Sequence, residues 1–345
     1  MRYLSACSGI EAASVAWHPL GWEPVAFSEI EPFPSAVLAH HYPTVPNLGD
    51  MTKFQEWPDE PVELLVGGTP CQSFSVAGLR KGLADPRGNL MLTFLAIAQR
   101  HRPRWIVWEN VPGVLSSNGG RDFGTLLGAL GELGYGWAYR VLDAQFFGVA
   151  QRRRRVFVVG HIRDWQRAAQ VLFERESVRR DTPPSREARE GATAGTTRCF
   201  AGSRQSDVAA TLETTAHDYS RADGFNMVAQ PIGFGAQMSN PQTDMDLMQT
   251  LNAKNPMAVA QPIAAAMQVR RLTPVECERL QGFPDNYTRI PWKFGYWPAD
   301  KHSPEVLETI AGQCPDGPRY KALGNSMAVP VMRWIGQRIE KVENP

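Results

Sequence analysis

The sequence contains few cysteines, and they are scattered. Five cysteines occur in 345 residues, with no C-x-x-C pair and no cluster of cysteine and histidine. This spacing gives no sign of a disulfide framework or a metal site, so we predict no bound metal. Such use of cysteine is typical of a reducing compartment, and we expect a cytoplasmic location.

Long apolar runs and a strong net charge are also missing. No stretch approaches the roughly 18 apolar residues that a membrane span needs, and the apolar stretch within residues 1–10 is too short for a secretory signal. We therefore expect no membrane partner. The formal net charge is +1, so contacts with nucleic acid would have to come from local clusters of basic residues.

Short apolar runs alternate with helical patterns over the first 160 residues. The runs predict strands at 3–7, 24–30, 62–66, 104–110 and 154–162. The patterns between them predict helices at 11–21, 32–43, 89–101 and 123–134. Strands that alternate with helices through short connections are typical of a doubly wound, mostly parallel α/β sheet with helices on both faces.

The composition changes after residue 164. A charged segment breaks at Pro183-Pro184, and residues 196–268 are poor in charge and contain two similar segments, 210–232 and 249–263, that both end in V-A-Q-P-I. A chain of this length is expected to form two domains. We predict a catalytic domain (1–180, completed by 315–345), a small domain (181–290, including a helix at 269–284) and a connecting insertion (291–314).

A cysteine closely follows the third predicted strand. The run "VELLV" leads into "GGTPCQSFSVAG", where Cys71 lies between Pro70 and Gln72 in a turn rich in glycine and serine. In an open parallel sheet, ligands and reacting groups lie at the carboxyl ends of the strands. Cys71 is therefore a candidate nucleophile. The alternative is a small buried apolar side chain, because free cysteine is among the most buried residue types.

Two acidic residues follow the first turns of the predicted sheet. The first turn, "ACSGIEAAS", has Gly9 but carries Glu11 where a second glycine of a nucleotide-binding turn would lie. Glu29 comes 20 residues after Gly9, and Asp50 ends a further element. Carboxylates at these points can accept hydrogen bonds from ribose hydroxyls and from an adenine amino group. The alternative for both is a solvated loop carboxylate.

A third acid and a run of arginines complete the candidate residues. Glu109 follows the apolar "WIVW", where loss of solvation favours a protonated carboxyl, although it could instead cap the next turn. Gln151 precedes four arginines that enter a predicted strand. Strand alternation sends Arg153 and Arg155 to one face. Arginines that point inward require an anionic partner such as a carboxylate or a phosphate.

Taken in order, these segments resemble the C5-cytosine-specific DNA methyltransferase family, of the bacterial or phage and prophage type. The resemblance rests on "SGIEAAS", "SEIEPF", "GDM", "GGTPCQSFS", "ENVPGV", "QRRRRVF", "RRLTPVECERLQGFPDNY" and "ALGNSMAVPV". It implies a Rossmann-like fold with a smaller target-recognition domain. It also implies S-adenosyl-L-methionine as the methyl donor and a cytosine of double-stranded DNA as the acceptor.

The resemblance assigns roles to individual residues. It makes Cys71 the nucleophile, places Glu109 on N3 and the amino group of the cytosine, and makes Arg153 and Arg155 the two basic catalytic positions, either of which could favour the Cys71 thiolate. The residues implied to bind the donor are Ser8, Gly9, Ile10, Glu29, Ile30, Asp50, Met51, Pro70, Asn325 and Ser326. Cys7, Glu11 and Ile30 depart from the family pattern, which usually has an aromatic, a glycine and an aromatic residue there.

The target atom is inaccessible inside a duplex, so the cytosine must be flipped out of the helix. We expect residues 73–88 to form a mobile loop that closes over the DNA. The residues predicted to contact DNA are Gln72, Ser75, Arg80, Lys81, Arg87, Gln151, Arg270 and Arg271. The protein is expected to act as a monomer, with a cognate restriction endonuclease as a further candidate partner. Two alternatives stay open: an RNA cytosine-5 methyltransferase, and a DNA-binding regulator with an inactive methyltransferase fold.

Overall fold

The computed structural model describes residues 1–70, 90–173, 271–292 and 300–345, three isolated residues between 292 and 300, and the backbone of five short strands between 198 and 270. The chain forms two compact units. Unit 1 comprises Met1–Leu142, Arg154–Pro183 and Val331–Pro345, and unit 2 comprises Asp143–Arg153 and Pro184–Pro330.

Unit 1 is built on a six-stranded sheet. Its strands are β1 (Arg2–Ala6), β2 (Glu23–Ser28), β3 (Leu64–Gly67), β4 (Trp105–Asn110), β5 (Tyr135–Asp143) and β6 (Arg154–Ile162). The strand order is β2-β1-β3-β4-β6-β5. β1 pairs in parallel with β2 and β3, and β3 with β4, whereas β6 runs antiparallel to β4. The predicted doubly wound, mostly parallel sheet is confirmed, with an antiparallel addition at one side.

Helices cover this sheet. They are α1 (Ala12–Trp17), α2 (Pro32–His41), α3 (Leu90–His101), α4 (Arg121–Glu132), α5 (Trp165–Leu172) and, from the end of the chain, α9 (Val329–Glu343). The first predicted helix is shorter than expected, because a 3₁₀ turn (His18–Leu20) follows α1 and ends at Gly21, whose φ is 71°. None of the helices in the described ranges has the length and hydrophobicity needed to cross a membrane.

In its described residues, unit 2 combines short strands with three helices. The strands are β7 (Arg198–Ala201), β8 (Arg204–Ser206), β9 (Asn226–Ala229), β10 (Val259–Ile263) and β11 (Ala266–Arg270), and the helices are α6 (Pro274–Gln281), α7 (Pro304–Gly312) and α8 (Asp316–Asn325). β9 and β10 lie near the ends of the two similar segments found in the sequence. α6 begins with a reciprocal cap, in which Thr273 accepts from the backbone of Glu276 and Glu276 accepts from that of Thr273.

A glycine at the end of β3 allows two strands and a helix to approach closely. A Cβ atom at Gly67 would lie 2.7 Å from the carbonyl oxygen of Ala6 and 2.9 Å from the ring of Phe94. We expect Gly67→Ala to lower the free energy of unfolding by about 1–3 kcal/mol, because the backbone of β1 cannot move aside without breaking its ladder. Urea denaturation followed by circular dichroism measures the change.

Gly124→Ala is the matched control for this substitution. Gly124 lies on the exposed side of α4, and no atom lies within 4 Å of the position of an added Cβ. Alanine should stabilise the helix there by about 0.5–1 kcal/mol. An equal effect of the two substitutions would contradict the close packing at Gly67.

Candidate active site

The turn after β1 is fastened to the end of β2. The backbone N–H of Ser8 donates to the carbonyl of Ser28 at 3.1 Å, and the N–H of Ser28 donates to the hydroxyl of Ser8 at 3.0 Å. The Ser8 hydroxyl also donates to the carbonyl of Ser5 at 2.9 Å. These bonds hold the predicted donor-binding residues Ser8, Gly9 and Ile10 at the carboxyl edge of the sheet.

Glu29 lies at the same edge, and its carboxylate is held by backbone donors. It accepts from the N–H groups of Gly9 at 2.8 Å, Ile30 at 2.8 Å and Glu31 at 2.7 Å. Two carboxylate oxygens offer about four acceptor sites, so the side chain is oriented by these three bonds and retains capacity for a further donor. Sequence reasoning predicted Glu29 but not this rigid support.

Asn47 organises the same region and was missed by sequence reasoning. Its side-chain oxygen accepts from the N–H groups of Glu29 at 3.0 Å and Gly49 at 3.1 Å, and its amide nitrogen donates to the carbonyl of Glu29 at 3.0 Å. Asp50 follows directly, and its carboxylate accepts from the N–H of Thr52 at 2.9 Å. The available sequence signal was the cluster of turn residues in "PNLGD".

The edge formed by these turns suits an adenosine-bearing group. Gly9 and Gly49 have φ values of 57° and 70°, and no atom lies within 4 Å of the place a Cβ would occupy in either. The side chain of Ile30 is 68% exposed beside them. Open backbone, an oriented carboxylate and an exposed apolar side chain are what a ribose and an adenine ring require. Met51 is buried, with its sulfur 3.3 Å from that of Cys7.

Glu109 and Arg155 form an ion pair on neighbouring strands. Glu109 lies on β4, every residue of which is buried, and its Oε1 is 3.1 Å from Nε of Arg155 on β6. The two side chains are only 11% and 13% exposed. The pair gives Arg155 the carboxylate partner that an inward-pointing arginine requires.

The end of β4 also anchors the chain that leads to Cys71. The indole N–H of Trp108 donates to the hydroxyl of Thr69 at 3.0 Å, and the side-chain amide of Asn110 donates to the carbonyl of Thr69 at 2.9 Å. Thr69 is 3% exposed. The chain is therefore fixed two residues before Cys71, by residues adjacent to Glu109. Thr69 was not among the predicted site residues.

The arginine run alternates as a strand should. Arg152 and Arg154 are exposed, Arg153 is buried and Arg155 is largely covered. In unit 2, one guanidinium nitrogen of Arg153 donates to the carbonyls of Gly324 at 3.0 Å and Ser326 at 2.6 Å. Arg153 thus binds the backbone of the Gly-Asn-Ser segment, a contact between residues about 170 positions apart that the sequence did not indicate.

The other predicted site residues have varied positions. Gln151 is fully buried, and its side-chain amide has no hydrogen-bond partner in the part of the chain that the structure describes. Asn325 is exposed at the end of α8, Ser326 is buried, and Arg271 is exposed after β11, which ends at Arg270. Pro70 is exposed. Cys71, Gln72, Ser75, Arg80, Lys81 and Arg87 lie outside the described residues.

Comparison with known proteins assigns the chain to a family through its sequence profile. The sequence profile of the C-5 cytosine-specific DNA methylase family matches residues 1–341. A DNA N-6-adenine-methyltransferase of Escherichia phage P1 is 39% identical over 462 residues, covering 98% of this chain, and the chain spans only 61% of that protein's length. The Type II methyltransferase M2.BsuMI of Bacillus subtilis is 28% identical, covering 99% of this chain and 76% of the relative.

A solved structure supports the fold. The chain is similar to a DNA modification methyltransferase encoded within an E. coli prophage, with a TM-score of 0.58 and 16% sequence identity over the whole of both chains. At this level of identity, the likeness concerns the fold alone.

Proposed function

The chain belongs to the C-5 cytosine-specific DNA methylase family, and on this premise we propose that it transfers a methyl group from S-adenosyl-L-methionine to C5 of a cytosine in double-stranded DNA. Members of this family depend on S-adenosyl-L-methionine. The observation that carries the proposal is the pairing of Glu109 with Arg155 beside the Thr69 anchor, two residues before Cys71.

Cys71 acts as the nucleophile. Carbon 5 of cytosine is a weak nucleophile, and a thiolate that adds to C6 makes it an enamine carbon. The sulfur forms a bond to C6, the electron pair of the C5–C6 double bond shifts towards C4, and N3 receives a proton. The bound donor supplies the methyl group that C5 then takes up. A base removes the C5 proton, the bond between sulfur and C6 breaks, and the cytosine ring is restored.

Glu109 binds the reacting edge of the cytosine. As an acid it delivers the proton to N3 and takes it back when the thiolate leaves, and as a carboxylate it accepts from the exocyclic amino group. Arg155 holds the carboxyl group in place at 3.1 Å.

The donor and the DNA are bound by the residues predicted for each. Glu29 accepts from a ribose hydroxyl, Asp50 from the adenine amino group, and Ile30 packs against the adenine ring. The cytosine is flipped out of the duplex. Arg80, Lys81 and Arg87 contact phosphates, while the small domain reads base edges. The remaining donor residues keep their proposed roles: Ser8, Gly9, Ile10, Met51, Pro70, Asn325 and Ser326.

Glu29→Gln tests the donor site. The substitution keeps the shape of the side chain but turns an oxygen that can accept from a ribose hydroxyl into an amide donor. Hydrogen bonds to charged groups contribute about 1.5–3 kcal/mol each, so the dissociation constant for S-adenosyl-L-methionine should rise about 10–100-fold in isothermal titration calorimetry. Glu31→Gln, two residues along the same turn, should change it less than about twofold. Equal affinities in both variants would contradict the assignment.

Adenine N6 is an alternative methyl acceptor, because the relative from phage P1 is named a DNA N-6-adenine-methyltransferase. That relative has a large part of its length outside the match to this chain. An exocyclic amine can attack a methyl sulfonium directly and requires no thiolate adduct. The Cys71 turn and the Glu109–Arg155 pair would have no task in such a reaction, and this favours cytosine C5.

Nucleoside analysis decides between the acceptors. The protein and S-adenosyl-L-methionine are incubated with unmethylated DNA and, separately, with RNA, and the digested nucleosides are quantified by mass spectrometry. We expect 5-methyldeoxycytidine from DNA alone. N6-methyldeoxyadenosine, or 5-methylcytidine from RNA only, would overturn the proposal. A Type II relative also makes a cognate restriction endonuclease a candidate partner, in which case methylation protects the host DNA.

A further inference from the structure

Glu11 lies directly under the turn assigned to the methyl donor, in a conformation that favours glycine. Its φ and ψ are 63° and 60°, which is the left-handed region, and only 1% of the residue is exposed. A non-glycine residue with positive φ and a buried carboxyl group is costly on both counts. The surroundings must compensate for both costs.

The carboxylate of Glu11 joins the two elements on either side of the turn. It accepts from the hydroxyl of Ser5 on β1 at 2.8 Å, and from the backbone N–H and the hydroxyl of Ser14 on α1, each at 3.2 Å. The N–H of Glu11 donates to the carbonyl of Ser8 at 3.0 Å and closes the turn itself. The side chain and the backbone N–H of Glu11 thus fix both ends of the Ser8–Ile10 turn.

The opposite side of the same turn is held by Glu29. The N–H of Gly9 donates to the Glu29 carboxylate at 2.8 Å, and Glu29 is the residue proposed to bind the ribose. A change in the bonds of Glu11 therefore reaches the donor site through three residues of backbone.

The carboxyl group of Glu11 changes its protonation state close to neutral pH. Burial raises the pKa of Glu11 to about 7, against the lowering effect of the hydrogen bonds from Ser5 and Ser14. Among the described residues, Tyr3 of β1 is the titratable neighbour. Its hydroxyl lies 2.6 Å from that of Ser14, and burial raises its pKa far above the ordinary value, so it stays neutral. The contact of α9 with α1 is the uncharged bond from the Trp17 indole to the carbonyl of Met332.

We propose that Glu11 is a positioning residue that fixes the Ser8–Ile10 turn for the methyl donor, so that the hydrogen bonds of its carboxylate control donor binding. The inference rests on the proposed function, because it takes this turn as the donor site. The ionised carboxylate holds all three of its donors and attracts the sulfonium cation. Protonation removes the negative charge and competes for one of the accepted hydrogen bonds. Donor affinity therefore rises as pH rises through neutrality.

Calorimetric titration with S-adenosyl-L-methionine at pH 6 and pH 8 tests the proposal, using the wild type, Glu11→Gln and Glu11→Gly. The wild type should bind about threefold to tenfold more tightly at pH 8 than at pH 6. Glu11→Gln keeps the shape of the side chain but cannot titrate. The affinity of this variant should depend less on pH, and the dependence that remains measures the titration of the ligand and of other groups. Glu11→Gly fits the left-handed backbone, so it folds, and it binds more weakly than the wild type at pH 8. An identical pH dependence in the wild type and Glu11→Gln would overturn the inference.

A second measurement needs no donor. A carboxyl whose folded pKa is raised contributes stability below its unfolded pKa, and this contribution is lost as pH rises through the folded value. Between pH 5 and pH 8, the unfolding temperature of the wild type should therefore fall relative to that of Glu11→Gln. Parallel curves would overturn the inference. If the curves diverge but no variant binds S-adenosyl-L-methionine, the proposed function fails and the titration of Glu11 stands.

Discussion

Replacing Cys71 with alanine should reduce methyl transfer to DNA by at least about 10³-fold, because the variant has no nucleophile to add to C6 and C5 stays unreactive. Transfer of a radioactive methyl group from S-adenosyl-L-methionine to DNA measures the rate. The affinity for the donor should be unchanged, which separates loss of the nucleophile from loss of the fold.

Cys314→Ala is the control for this experiment. Cys314 is a half-buried free cysteine whose sulfur lies 3.8 Å from the carbonyl of Thr288, and its loss should change the rate less than about twofold, as is usual for a substitution away from the reacting groups. Residual activity of Cys71→Ala above a tenth of the wild type would show that the reaction does not use this thiol.

Glu109→Gln should lower the rate of methyl transfer by about 10²–10⁴-fold, the range over which a positioned acid or base contributes. The amide keeps the size of the side chain, but it cannot exchange a proton with N3, and it replaces the ion pair with Arg155 by a neutral contact. Donor affinity should again be unchanged. Single-turnover kinetics with saturating DNA measure the loss on the chemical step.

The matched control is Glu132→Gln, a substitution of an exposed glutamate at the end of α4. We expect it to have the wild-type rate. Arg155→Lys adds a second comparison, since it keeps the charge but loses the guanidinium that holds Glu109 at 3.1 Å, and it should lie between the wild type and Glu109→Gln. If Glu109→Gln retained the wild-type rate, the ion pair would have a structural role alone.

The strands that line the site were predictable because they are buried. The residues of β4 are apolar up to Glu109 and fully covered, and β6 begins and ends where the sequence placed it. The strand β5 was missed. Its residues are only partly buried and include Arg140, so this strand gives neither an apolar run nor a clean alternation. That strand lies at the edge of the sheet, next to β6.

The contacts within the site were predictable only in part. The alternation of side chains along a strand predicted that Arg153 and Arg155 point inward. Arg155 has the carboxylate partner that an inward arginine requires, and this partner is Glu109. The carbonyls bound by Arg153 belong to a segment far along the chain, and backbone carbonyls carry no sequence signal. The sequence showed Glu11 as a departure from glycine. Its proposed role depends on the hydroxyls of Ser5 and Ser14, and serines at these two positions carry no sequence signal of such a contact.

A covalent trap tests most directly whether Cys71 adds to the target cytosine. DNA that carries 5-fluorocytosine in place of cytosine accepts the thiol and the methyl group, but fluorine cannot leave as a cation, so the sulfur–C6 bond persists. The protein is incubated with this DNA and S-adenosyl-L-methionine, the complex is digested with protease, and the cross-linked peptide is sequenced by mass spectrometry. We expect a peptide in which Cys71 carries the nucleotide. A cross-link at another residue, or methylation with no covalent complex, would contradict it.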